Sequence, residues 1–229
     1  MRDLPVFSLE PSVICCDLCN LESEIGKFAA AGVTALHVDV LDGAFAPSLP
    51  VGIDTFKQLA KKTDLPFDIH IMSNNNPWFI GECIKMDPKR ICFQMEGEKN
   101  PAGMIRMIRE AGIHPGLAFS PETPVSSAEE FLPLIDFILL MRIKPGYAGF
   151  ANESIKIDMD AKIREARKTL DAVKPGMDIV IDGRMTFDDV PRLLGLGATT
   201  FVGGSRSLFS SKDYSANFNR MKELYLEAM

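Results

Sequence analysis

Eight short apolar runs, centred on Val13, Val38, Ile69, Cys92, Leu117, Leu139, Val180 and Val202, alternate with longer amphipathic stretches from one end of the chain to the other. Parallel strands need a crossover between them, usually a helix, so this alternation reads as repeated βα units. The intervening stretches carry apolar residues at three- and four-residue spacing, as in Leu21, Ile25, Phe28 and Ala29, or Ile105, Ile108 and Ala111. Gly32, Gly112 and Gly195 or Gly197 fall where helices should end, and Pro77, Pro101 and Pro124 fall near their starts, where a missing N–H costs little. Eight units with no second composition class favour a closed barrel over an open, doubly wound sheet. The expected fold is α/β, a single (β/α)8 TIM barrel with residues 1–229 as one domain. A length of 229 residues, 46% of them hydrophobic, suffices for one large core.

The 25 basic and 31 acidic residues leave a formal charge of -6, and no block of Lys and Arg is long enough to track a nucleic acid or an anionic membrane. Met1 to Glu10 carries charges at Arg2, Asp3 and Glu10 and lacks the apolar core of a signal peptide. No run approaches the roughly 18 apolar residues of a membrane span. These features predict a soluble, cytoplasmic protein acting on a small molecule. The five cysteines are odd in number and lie in apolar or helical stretches, so they read as reduced thiols. Cys16 and Cys19 form one C-x-x-C, but with no second pair to complete a zinc site they read as buried small hydrophobes.

In such a barrel the active site forms at the C-terminal ends of the strands. Three expected strands end in polar groups: Leu36-His37-Val38-Asp39-Val40-Leu41, Asp68-Ile69-His70-Ile71-Met72, and Ile179-Val180-Ile181-Asp182-Gly183. Strand alternation puts His37 and Asp39 on the inner face while Leu36, Val38 and Val40 face the helices. Any one of these polar residues alone reads as a hydrogen-bonded structural group. Two imidazoles and two carboxylates at one mouth are costly to bury without a cation, and make a plausible site for divalent Zn, Fe, Mn or Co. Asp42, in an Asp-Gly turn, reads as a turn former. His114 opens the fifth strand at the opposite end and is left out of the site.

Pro11-Ser12-Val13, His37 through Gly43, Asp68 through Met72, Pro145-Gly146 and Asp182-Gly183 together resemble the ribulose-phosphate 3-epimerase family, in order and over nearly the whole chain. The resemblance implies that His37, Asp39, His70 and Asp182 bind one divalent metal, and that Asp39 and Asp182 also act as the acid/base pair that epimerises a phosphorylated ketose at C3. It implies substrate contacts from Ser12, His70, Met72 and Met141. Phosphate is expected against the loops of Gly146-Tyr147-Ala148-Gly149, Gly183-Arg184 and Gly204-Ser205. A homo-oligomer is also implied, with Phe218, Met221, Leu224 and Leu226 of the last helix either meeting a neighbouring chain or closing the barrel.

The chain departs from the family pattern in several places. Ala148-Gly149-Phe150 stands where Gly-Gly-Gln is usual, Arg184 replaces a glycine after strand seven, and Gln94 stands where a strand-four histidine is common, with Glu96 following as expected. Arg142, Lys144, Arg184 and Arg206 add cations along the late loops, which recognise a more anionic or shorter substrate or else form a solvated rim. Two other functions fit the same barrel. A decarboxylase or lyase would need an Asp-x-Lys at a strand end; Asp160-Ala161-Lys162 has that spelling, but in a stretch that reads as helix. A non-catalytic sugar-phosphate sensor would keep the fold without needing all four ligand residues.

Overall fold

The computed structural model describes residues 8–146 and 156–229. It is a (β/α)8 barrel. The strands are β1 (Ser8–Pro11), β2 (Leu36–Leu41), β3 (Phe67–Met72), β4 (Arg90–Gln94), β5 (His114–Phe119), β6 (Phe137–Met141), β7 (Asp178–Asp182) and β8 (Thr200–Gly203). All are parallel, in the order β1-β8-β7-β6-β5-β4-β3-β2. A parallel bridge between Ser12 and His37 brings the two ends of that order together and closes the barrel.

The helices are α1 (Leu21–Ala31), α2 (Ile53–Leu59), α3 (Asn76–Ile84), α4 (Pro101–Glu110), α5 (Met159–Val173), α6 (Asp189–Gly195) and α7 (Tyr214–Ala228). The fifth crossover is a 3-10 segment, Val125–Leu134, kinked at Ala128. Local chemistry sets several ends. Asn100, Asp158 and Asp213 accept the Gly103, Ala161 and Ala216 N–H groups at the starts of α4, α5 and α7. Gly32 closes α1 in the left-handed region, at φ 88. Ile105 and Ile108 of α4 are buried as their spacing predicts, while Ala29 and Ala111 face out.

The first strand differs from its expected place: β1 and its register with β8 end at Pro11, and Val13 begins a 3-10 turn. Val13 is nonetheless wholly buried. Its run is apolar because the turn packs against β2 in the core, which hydropathy cannot tell from a strand. The last helix buries Phe218, Met221 and Tyr225 in the shell between helices and strands, and leaves Leu226 exposed, so its apolar face serves the barrel. The C-x-x-C pair is not the buried pair expected: Cys16 is only partly buried and Cys19 is exposed on the loop before α1, whereas Cys83 and Cys92 are buried. No helix among the described residues is long and apolar enough to cross a membrane.

Alternation divides the strands cleanly. Leu36, Val38, Val40, Ile69, Ile71, Ile91, Phe93, Ile179 and Ile181 pack outward against the helices. Cys92, Ala118, Phe137, Leu139, Met141, Val180 and Val202 fill the inside. Gly116 has no side chain because the Phe137 ring occupies that space; a Cβ there would lie 2.5 Å from it. The base of the interior is ionic. Arg90 donates through Nη2 to Glu10 (2.9 Å) and Asp68 (3.0 Å), and through Nη1 to Asp178 (2.8 Å), with its guanidinium 4.7 Å from the centre of the Phe137 ring.

Candidate active site

Register and alternation assemble the site. Asp39 pairs with His70 across β2 and β3, and Met141 with Asp182 across β6 and β7. The ligand atoms of His37, Asp39, His70 and Asp182 all lie within 4.8 Å of one another. His37 Nε2 and His70 Nδ1 each stand 3.3 Å from Asp39 Oδ1. The other oxygen, Oδ2, accepts the Ser12 hydroxyl at 2.9 Å. His37 and His70 are completely buried and lie beneath the cavity wall rather than on it.

The donor set fits a divalent cation. Two ligand atoms about 2.05 Å from a common ion at the tetrahedral angle stand about 3.3 Å apart, which is the separation of both imidazole nitrogens from Asp39 Oδ1. His37 Nε2 is buried and has no hydrogen-bond partner. Its other nitrogen, Nδ1, is 3.3 Å from Asp68 Oδ2, the orientation by which a carboxylate aims an imidazole at a metal. The chain from Arg90 through Asp68 and His37 to Asp39 thus runs from the barrel base to its mouth.

The two carboxyls are shifted in opposite directions. Burial opposes ionisation of Asp39, but the adjacent His37 and His70 imidazoles hold it well below the usual carboxylate range. Burial, with the charge of Asp39 added, pushes Asp182 up to about 6. Environments that separate two neighbouring carboxyls in this way suit one to accept a proton and the other to give one.

Above the cluster opens a cavity of about 540 Å³, whose wall includes Ser12, Asp39, Asp182, Met72 and Met141. Gly146, Gly183, Arg184, Gly204, Ser205 and Arg206 line the side formed by the late loops. Gly183 and Arg184 both take positive φ, +106 and +51, so the loop after β7 turns sharply against the cavity. For Gly183 the tightness is steric as well, since a Cβ would lie 2.9 Å from Ile143. Tyr147, Ala148 and Gly149 lie outside the described residues.

Other candidates fall elsewhere. Asp42 accepts the Ala44, Phe45 and Asn74 N–H groups and the Ser73 hydroxyl, joining the loops after β2 and β3 as a turn former. His114 is exposed at the far end, against Asp136. Arg142 is committed to a two-pronged pair with Asp189 at 2.9 and 3.2 Å and does not line the cavity; neither does Lys144. Asp160 pairs with Arg192, and Lys162 donates to the Ser120, Pro121 and Thr123 carbonyls, so the Asp-x-Lys spelling serves packing of α5. Sequence reasoning missed three contributors. Glu10 was read only as a charge in the N-terminal segment, Cys15 lines the cavity, and Gln94 touches His70. For Glu10 the available signal was its place two residues before Ser12, which alternation puts on the same inner face.

Comparison with known proteins identifies the family of the chain. Residues 8–209 match the model of the ribulose-phosphate 3 epimerase family. The ribulose-phosphate 3-epimerase of Methanocaldococcus jannaschii is 33% identical over 220 residues, covering 95% of this chain and 91% of that protein. That of Aquifex aeolicus is 29% identical over 223 residues, covering 96% and 98%. The solved structure of 3-hexulose-6-phosphate synthase from Salmonella typhimurium superposes with a TM-score of 0.70 at 14% identity, over 97% of this chain and 100% of that one, and establishes the fold alone. With the family model spanning most of the chain, and a relative above 30% identity over nearly all of it, this protein belongs to the ribulose-phosphate 3-epimerase family.

Proposed function

We propose that the chain epimerises a ketose phosphate at C3, with Asp39 and Asp182 as the two proton carriers. The observation that carries this reading is the pair itself: two inward carboxyls, pushed in opposite directions from their ordinary acidity, on the wall of one cavity beside a histidine pair. One carboxylate removes the C3 proton from one face of the sugar, and the other returns a proton to the opposite face, inverting the centre. His37, Asp39, His70 and Asp182 would hold one divalent ion (Zn, Fe, Mn or Co). Bound there, it would supply positive charge close to the oxygens of the enediolate. Met72 and Met141, each 2% exposed, keep water from the reacting carbon and strengthen every local electrostatic interaction. The loops of Gly146, Gly183 and Gly204-Ser205 receive the phosphate, and a homo-oligomer is the expected assembly.

The test is NMR-monitored exchange of the C3 hydrogen in D2O across four- to six-carbon ketose phosphates. Enzyme-dependent exchange and inversion in one member identifies the reaction and the sugar together. No exchange from folded, metal-loaded protein with any member rules the reading out for that panel. Metal analysis adds an independent check: about one divalent ion per chain is expected, with His37→Ala and His70→Ala both depleted. Retention in both variants would remove these residues from the metal site.

Arg184 and Arg206 bear on the phosphate. Substituting Arg184 by alanine is expected to raise KM for the phosphorylated ketose roughly three- to tenfold, as for a partly exposed charge-assisted hydrogen bond, with kcat nearly unchanged. An unchanged KM would place the guanidinium in the solvated rim.

A further inference from the structure

Gln94 ends β4, is completely buried, and places its amide nitrogen 2.9 Å from His70 Nε2. Two nitrogens at that distance form a hydrogen bond only when one of them carries no proton. With the amide donating, His70 Nε2 accepts, and the ring proton of the neutral imidazole resides on Nδ1, which faces Asp39 Oδ1 at 3.3 Å. In that tautomer Nδ1 has no lone pair for a cation. His37 differs, because its Nδ1 faces the Asp68 carboxylate, an acceptor in every state, and its Nε2 is left without a partner. The two histidines therefore stand in opposite relations to the same centre. Gln94 also holds a second polar atom in reserve: its Oε1 is buried with no hydrogen-bond partner.

We infer that Gln94 is a two-way positioning residue for His70, its amide turning over when a cation takes His70 Nδ1, so that Oε1 accepts the proton then carried by Nε2. This rests on the reading of the His37, Asp39, His70 and Asp182 cluster as a cation site. An amide is suited to the task because it offers a donor and an acceptor on one planar group, whereas a carboxylate accepts only and a hydrocarbon does neither. In the turnover the ring proton of His70 passes from Nδ1 to Nε2. The histidine common at this position in the family can also donate or accept, which makes Gln94→His the conservative replacement.

The experiment measures Zn2+ affinity of the metal-free protein by competition with a chromophoric chelator, for the wild type, Gln94→Met, Gln94→His and His70→Ala. Gln94→Met is expected to bind about 10- to 100-fold more weakly, the usual effect of losing the outer partner of a metal-bound histidine. Gln94→His should lie within about threefold of wild type, since it restores that partner. Equal affinity of wild type and Gln94→Met would overturn the role of Gln94 while leaving the cation site intact. Undiminished affinity in His70→Ala, or no Zn2+ binding by the wild type, would instead overturn the cation site itself. Long-range 1H–15N correlation of the wild-type imidazoles decides the matter even where Gln94→Met does not fold. His70 should carry its proton on Nδ1 in the metal-free protein and on Nε2 with Zn2+ bound; the same tautomer in both states refutes the turnover.

Discussion

Asp182→Asn is expected to slow epimerisation by about 10²- to 10⁴-fold, the usual contribution of a positioned acid or base, and to leave hydrogen exchange at C3 alive for only one of the two epimers. If Asp39 and Asp182 address opposite faces of the sugar, each removes the C3 proton of a different epimer. Replacing one leaves the other able to remove its own proton and return a deuteron from the same face, which exchanges hydrogen without inverting the centre. Asp39→Asn should show the mirror result, with exchange surviving for the other epimer. The measurement is C3 exchange and inversion, followed separately from each pure epimer in D2O, with metal content checked because both residues belong to the proposed ligand cluster. Loss of exchange from both epimers in one metal-replete variant, with exchange kept from both in the other, would point to one carboxylate doing all the proton transfer. Inversion at close to the wild-type rate in either variant would remove that carboxylate from catalysis.

Much of this site was legible in the sequence because it obeys strand alternation. His37 and Asp39 share the inner face with His70 and Asp182, and each lies on a strand whose outer residues are apolar, so period and order alone bring the four together. The placement of Arg142 was not legible, since its position after β6 suggested the phosphate side. Only the folded loop shows that Asp189, at the start of α6, takes both prongs of its guanidinium. The first strand was displaced for a similar reason: Val13 is buried by tertiary packing of a turn. The ionic base was invisible for a different one. Glu10, Asp68, Arg90 and Asp178 come from four separate strands, and no local pattern announces that charges so far apart in sequence will meet inside a barrel.

That ionic base carries the second large prediction. Arg90 is the shared partner of Glu10, Asp68 and Asp178, and both Glu10 and Asp68 are fully buried. Removing one member of a buried ion pair strands its partners, so Arg90→Met is expected to destabilise the fold by roughly 3–5 kcal/mol. It should also weaken the cation site, because Asp68 holds His37. The acidic side predicts a pH dependence. Burial, reinforced by the charge of Asp68, pushes the Glu10 carboxyl up to about 8 from its ordinary 4.5. A group raised in the folded state binds its proton more tightly there than in the unfolded chain. Its stabilising contribution is full below about pH 4.5 and is lost as the pH climbs through about 8. Glu10→Gln imitates the protonated form: its amide can still accept from Arg90 and donate to Asp68. Urea denaturation should therefore find the variant close to wild type at about pH 5 and more stable by a few kcal/mol at about pH 8.5. If wild type and Glu10→Gln instead keep a constant difference across that range, Glu10 is ionised in the folded protein throughout, and Arg90 alone balances both carboxylates.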